Sequence, residues 1–356
     1  MMVEEKSSMT WSCPRPREGA AYITIAHGGG GLMTQRLIQQ IFLQAYGNDA
    51  LAAMNDAAVL SLEGSDRVAV STDSFVVRPL EFPGGDIGVL AVHGTVNDLA
   101  MMGATPKYLT AGFILEEGLE LRVLERIVKS MADAAREAGV QIVAGDTKVV
   151  ERGHGDGVFI NTTGIGVYHD MAAPGAASVE EGDCILLSGD IGRHGLAVMA
   201  VRENLTDSLG FASDTCNLAP VVADMRAAGV ELHWMRDLTR GGLSSAVNEL
   251  AAAVGCGMRL REIAIPVHPE VQGLCELLGL DPLYVANEGR FILLTPAAHV
   301  DTALTVLEKH RADEYAAPCL IGQIEMQQPS RVILESSIGV DRILDMMSGE
   351  QLPRIC

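Results

Sequence analysis

The sequence predicts a mixed α/β protein of two domains. At 356 residues and 48% hydrophobic content, the chain exceeds what one ordinary core takes up. Short β-branched runs alternate with helical patterns along its length. A cluster of helix-breaking residues, Met171-Ala-Ala-Pro-Gly175, interrupts that alternation near the middle.

Residues 1–20 are polar and contain prolines, which predicts a flexible arm without a secondary-structure period. A first domain, 21–170, carries helical patterns at Leu32–Ala45, Ile87–Met102 and Leu119–Ala138. Its strand signals lie at Arg67–Ser71, Gln141–Ala144, Val158–Thr162 and Thr163–Tyr168. A second domain, 171–347, repeats the style. Strands are expected at Cys184–Ser188 and Arg290–Thr295, and helices near Gly195–Glu203 and Leu243–Val254. Ile338–Met347 reads as a helix or amphipathic stretch, and 348–356, with breakers and no period, as a mobile tail.

Forty-six acidic against 26 basic residues leave a formal charge of −20, which disfavours nucleic acid or an anionic membrane surface as partner. No apolar run approaches the roughly 20 residues needed to span a bilayer, and residues 1–20 lack a signal-peptide core. A cytoplasmic protein is expected. The seven cysteines are scattered and never spaced as C-x-x-C, so they read as reduced thiols and not as a disulfide framework or zinc cage.

The chemistry-bearing pattern is an apolar run, a small residue and then Asp, at Val68-Ala-Val-Ser-Thr-Asp73 and at Ile142-Val-Ala-Gly-Asp146. Asp98 lies on an expected helix, and Asp56 opens Asp56-Ala-Ala-Val59 before a strand. Magnesium keeps several waters and takes few carboxylates plus phosphate oxygens, so dispersed acids at element ends suit a magnesium–nucleotide site. Lys148 adds a positive charge two residues past Asp146. Any one of these acids alone is more often a cap or a turn residue. Gly28-Gly-Gly-Gly31 and Arg240-Gly-Gly242 offer backbone N–H groups to phosphate, yet Walker and Rossmann fingerprints are absent. His93 and His194 accompany no metal or catalytic signature and read as hydrogen-bonded structural histidines.

Cys356 ends the chain, a placement with about a 2% chance expectation for seven cysteines among 356 residues. The segment 348–356 extends to about 30 Å. A thiol on such a tail can be loaded on one protein, enter its own active site and swing out to deliver, which a mid-chain cysteine cannot do.

Four segments carry a family resemblance: Ser71-Thr-Asp-Ser-Phe-Val-Val77, Gly94-Thr-Val-Asn-Asp-Leu-Ala100, Gly145-Asp-Thr-Lys-Val-Val150 and Pro353-Arg-Ile-Cys356. In this order they resemble the PurM-like (aminoimidazole ribonucleotide synthetase-like) ATP-binding superfamily from about residue 21 onward. Within it they look like the carbamoyl dehydratase family that matures nickel–iron hydrogenases. The resemblance implies a two-domain PurM-like fold: an N-terminal β-barrel-forming dimerisation domain, a C-terminal α/β domain with the mobile tail, and a homodimer with ATP and Mg²⁺ in clefts between the parts. It implies Asp56, Asp73, Asp98 and Asp146 as metal ligands. Thr72, Asp73, Asn97, Asp98, Gly145, Asp146 and Asp237 would line the nucleotide cleft, and Cys356, Lys148 and Glu288 would carry the chemistry. At Asn55 the sequence departs from relatives that pair two acids there.

The implied reaction is ATP-dependent dehydration of a carboxamide received on Cys356 from the carbamoyltransferase HypF. The resulting thiocyanate would pass its C≡N group to iron on a HypC–HypD complex. Two alternatives stand beside this. One is another PurM-like enzyme, such as a selenophosphate synthetase or small-molecule kinase, although Ile25-Ala-His-Gly-Gly-Gly-Gly-Leu32 lacks the Cys and Lys of the former. The other is a non-enzymatic cysteine carrier, for which nucleotide-binding acids would have no role.

Overall fold

The computed structural model describes residues 31–42, 57–61, 67–168, 173–205, 209–325, 330–346, 352 and 354–356. In the N-terminal half, α1 (Leu32–Leu37) runs into a π-helical turn at Ile38–Phe42 and is followed by β1 (Ala58–Ser61) and β2 (Arg67–Phe75). The short pair β3 (Glu81–Phe82) and β4 (Gly85–Asp86) precedes α2 (Ile87–Met101), β5 (Thr105–Glu116), α3 (Leu121–Glu137), β6 (Gln141–Val150) and β7 (Val158–Val167). Five strands form one sheet in the order β1-β2-β7-β5-β6. Only β5 and β6 pair in parallel, and α3 supplies the crossover that such a pair needs.

Period-2 alternation gives this sheet two unlike faces. Ala69, Ser71 and Phe75 on β2, with Val158, Ile160 and Thr162 on β7, are buried on the helix-covered face. Thr72, Ser74 and Asn161 point the other way and are exposed. Edge strand β6 is exposed at nine of its ten residues.

Helix α2 is buried at 13 of its 15 residues because it lies between the sheet and the C-terminal half. Its Ala100 and Met101 share an apolar cluster with Leu186, Val222 and Phe291. Asp86 caps it by accepting from the N–H groups of Gly88 and Val89 at 2.8 and 2.9 Å. Helix α3 packs so close that a Cβ on Gly88 would lie 2.4 Å from the Ile127 carbonyl oxygen.

The C-terminal half contains β8 (Cys184–Leu187), α4 (Arg193–Arg202), α5 (Ala219–Ala227), β9 (Trp234–Asp237), α6 (Gly242–Val254), β10 (Gly257–Arg261) and α7 (Pro269–Leu278). It ends with β11 (Phe291–Thr295), α8 (Val300–Lys309), β12 (Cys319–Glu325), β13 (Val332–Glu335) and β14 (Asp341–Ile343). Its sheet runs β14-β13-β10-β12-β8-β11-β9. Leu243, Val247 and Leu250 of α6 pack with Ile185, Leu187 and Ile292, while Val221 and Met225 of α5 and Val306 of α8 pack with Leu186 and Leu293. Because neighbouring strand residues face opposite ways, these two clusters cover the two faces of the sheet.

Two sequence expectations are corrected. The separate strands Val158–Thr162 and Thr163–Tyr168 are one continuous β7. Residues 338–346 of the expected helix or amphipathic stretch are not helical: the Ser336 amide donates to the Val340 carbonyl across a turn where Gly339 has φ +76°, and β14 then pairs Ile343 with Ile333. Pairing with β13 overrides the amphipathic pattern. Among the described residues no helix is long and apolar enough to cross a membrane.

Candidate active site

Carboxylates from both halves converge where β2, α2, β9 and the segment before β11 meet. Asp73 lies near the end of β2, and Asp98 on α2 accepts the Ser71 hydroxyl at 2.5 Å. Asp237 ends β9. Glu288 is 3% exposed, and its Oε1 has no hydrogen-bond partner among the described residues. Asp214 fixes the main chain around it, accepting from the N–H groups of His194, Glu288 and Gly289 at 3.0, 3.2 and 3.0 Å. A side chain at position 289 is excluded, since its Cβ would lie 2.0 Å from the Asp214 carbonyl oxygen.

Burial raises the Glu288 carboxyl well above the usual range, and Asp237, Asp73 and Asp214 add to the rise, while Arg240 opposes it. Asp237 is pushed up to about 6, first by burial and further by Asp73, against the pull of Arg236 and Arg240. Arg240, 3.8 Å from Asp73, is held charged chiefly by the negative charge at Cys356, then by Asp73 and Glu288, while burial opposes. The site thus gathers more negative charge than its own cations offset.

The chain end enters this site. Val76 N–H donates to a main-chain oxygen of Cys356 at 3.0 Å, and Arg78 N–H donates to the Arg354 carbonyl at 3.2 Å. The Arg202 guanidinium also donates to that Arg354 carbonyl, and the Arg354 side chain pairs with Asp156. Ile355 is 3% exposed and packs in the cluster that holds Phe75, Ile87 and Ala286, with Leu352 alongside. Its carbonyl lies 2.9 Å from His194 Nε2, which is itself 4.0 Å from Glu288 Oε1. Leu352 and 354–356 are therefore docked, the inward position that a substrate-bearing tail is expected to take. Residues 347–351 and 353 lie outside the described residues.

Two family models match the chain, the AIR synthase related protein N-terminal domain over residues 54–168 and its C-terminal domain over 180–335. The chain is 49% identical over 334 residues to the carbamoyl dehydratase HypE of Cupriavidus necator, covering 94% of this chain and 95% of that protein. It is 46% identical over 340 residues to HypE of Escherichia coli, covering 94% and 99%. The chain belongs to the HypE carbamoyl dehydratase family. A crystal structure of HypE in complex with ATP matches at a TM-score of 0.78 and 46% identity, over 93% of this chain and 99% of that one. HypE in a HypE–HypF complex matches at a TM-score of 0.80 and 42% identity, over 87% and 99%.

Residues assigned by the HypE resemblance separate into three groups. Asp73, Asp98, Asp237, Glu288 and Cys356 converge as described. Thr72, Asp146 and Lys148 do not join them: Thr72 Oγ1 donates to the Thr162 carbonyl at 3.0 Å on the open face, and the register of Gly112 with Asp146 and Ile114 with Lys148 puts both β6 residues on that face too. Lys148 pairs with Asp146 at 2.6 Å, both side chains well exposed, and Gly145 pairs with Ala111 beside them. Asn97, next to Asp98 on α2, spends its side chain on main chain. Nδ2 donates to the carbonyls of Cys216 and Glu288 at 3.0 and 3.2 Å, and Oδ1 accepts from Leu218 N–H at 2.8 Å. Asp56, Asn55 and residues 28–30 lie outside the described residues.

Sequence reasoning missed Asp214, Ser213 and Asp156, which no motif marks, and saw Arg240 only as the edge of a glycine loop. His194 is hydrogen-bonded as expected, at 2.8 Å to Ser213 Oγ and 2.9 Å to the tail. His93 is hydrogen-bonded through Nδ1, 3.4 Å from the Thr215 hydroxyl, while its Nε2 lacks a partner among the described residues and burial pushes it down to about 4.

Proposed function

We propose that this chain performs the ATP-dependent dehydration for which its family is named, on a carboxamide carried by Cys356 as a thiocarbamate. The observation that carries the reading is the tail itself. Its Ile355 is buried in the apolar cluster beside the site, Cys356 follows at the carboxylates, and the Ile355 carbonyl shares His194 Nε2 with Glu288 Oε1, which has no hydrogen-bond partner among the described residues.

ATP supplies a γ-phosphoryl group to the carboxamide oxygen, converting a poor leaving group into phosphate. Phosphorylation on oxygen releases the first of the two nitrogen protons and leaves a C=N–H. Glu288 then takes the second, a task suited to a carboxylate whose affinity for protons is raised by burial. The C–O bond breaks, phosphate leaves, and C≡N remains on sulfur. Arg240 offsets negative charge next to Cys356.

Asp73 and Asp237, whose repulsion raises Asp237 and calls for a cation, would meet a magnesium–phosphate complex. Among the described residues no three acidic, His or Cys side chains could hold a metal by themselves, and Mg²⁺ needs few protein ligands beside phosphate oxygens. HypF as carbamoyl donor is supported by the HypE–HypF complex of a relative. A HypC–HypD complex as acceptor of the C≡N group is what the family resemblance implies. The exposed β6 edge supports a homodimer, since an uncovered strand edge invites pairing. Within one copy Lys148 serves Asp146 alone, so a catalytic role for it requires the second copy that covers β6. None of the six described cysteines is in a disulfide, as a cytoplasmic protein would keep them.

The test is ADP release by the carbamoylated protein against the uncarbamoylated protein and Cys356→Ala. ADP release only from the carbamoylated wild type supports the reading, and equal release from all three overturns it.

A further inference from the structure

His194, at the start of α4, is fully buried and turns its Nε2 toward both the tail and Glu288. Its Nε2 lies 2.9 Å from the Ile355 carbonyl oxygen, which can only accept, so Nε2 carries the hydrogen. In a neutral ring Nδ1 is then the acceptor, and the Ser213 hydroxyl 2.8 Å away donates to it. Burial lowers the imidazole's proton affinity and keeps the ring neutral. Phe82 meets it edge-on at 5.2 Å, restricting its rotation. With the tail docked, ring tautomer and orientation are therefore both set.

That single N–H has two acceptors within reach. The Ile355 carbonyl takes it at 2.9 Å, and Glu288 Oε1 at 4.0 Å goes without. Val76, Arg78 and Arg202 bind the main-chain oxygens of Cys356 and Arg354, whereas His194 is the donor to the carbonyl between them. The Ile355 carbonyl is one peptide unit from the Cys356 Cα, so fixing it fixes where the sulfur hangs.

We propose that His194 is a positioning residue: its Nε2–H grips the Ile355 carbonyl, sets the register of the substrate-bearing Cys356, and by facing the tail leaves Glu288 Oε1 unpaired to act as base. This rests on the dehydratase reading above and adds how the substrate arm is aligned.

The experiment loads full-length wild type, His194→Gln and His194→Phe with carbamoyl groups from HypF, then follows water loss in a single turnover with ATP by intact mass. Transfer of the carbamoyl group to the thiol makes no use of the His194–Ile355 contact on this reading, so all three should carbamoylate at similar rates. His194→Phe should dehydrate about 100-fold slower, the scale expected of an approximately 1 Å misplacement. His194→Gln, whose Nε2 can donate to the same carbonyl, should recover at least about tenfold of that loss. Unimpaired dehydration by His194→Phe overturns the inference, as does His194→Gln performing no better than His194→Phe while melting at the wild-type temperature. A wild type that carbamoylates but never loses water overturns the dehydratase reading, and this inference with it.

Discussion

The Val76 amide donates to a main-chain oxygen of Cys356 at 3.0 Å, so the last residue of the chain is tied to the end of the strand that carries Asp73. A substrate carried on that cysteine would be presented to the acidic cluster by main-chain hydrogen bonds of the kind that extend a sheet. The docked tail is thus a binding element as well as a carrier.

Ile355→Ala tests how firmly that element is seated. Ile355 is 3% exposed in an apolar cluster, and truncating such a side chain costs about 2–4 kcal/mol. Undocking is the cheaper response than unfolding, so the melting temperature should hold while amide exchange at Val76 and Arg78 accelerates. Dehydration should slow and carbamoylation by HypF should not.

Asp237→Asn should show an altered dependence of stability on pH. Asp237 binds its proton more tightly folded, at about 6 against 3.8, so its wild-type contribution is fully present below 3.8 and is lost as pH rises through 6. The Asn protein escapes that loss. Its stability relative to wild type should climb between pH 4 and 7, by up to about 3 kcal/mol, in urea titrations at several pH values. Dehydration should fall in the same protein.

Asn97→Leu separates a structural role from a nucleotide-binding one. Its amide bridges α2 to Cys216, Leu218 and Glu288 across the two halves. Removing it strands buried main-chain groups at about 1–3 kcal/mol each. Thermal melts should drop clearly, while the folded fraction keeps its affinity for ATP. Lost ATP binding at an unchanged melting temperature would return Asn97 to the cleft.

Val149 on β6 is 67% exposed, and its strand is open along nearly its whole length. Val149→Glu should shift the protein from dimer to monomer in sedimentation velocity. If homodimerisation uses another face, the two proteins will sediment alike.

Much of this was legible in the sequence because it rests on local chemistry. The apolar runs ending in Asp73 and Asp146 do form strands, and the all-round apolar Ile87–Met101 is a buried helix. What was lost is direction. Thr72 and Asp73 are neighbours in one motif, yet period-2 alternation sends them to opposite faces of β2. The same alternation carries Asp146 and Lys148 away from Asp73 in a single copy. The seat of the tail was illegible for another reason: Asp156, His194 and Arg202 meet it only through tertiary packing, and a breaker-rich C-terminus has no period to announce a docked state.

The most direct test of the central claim is intact-mass analysis of the protein with HypF, carbamoyl phosphate and ATP. Wild type should gain one carbamoyl group and then lose one water, with the modification mapping to Cys356. Glu288→Gln should gain the carbamoyl group and stop there, and Cys356→Ala should gain nothing. Carbamoylation mapping to another cysteine, or water loss undiminished in Glu288→Gln, would contradict the account.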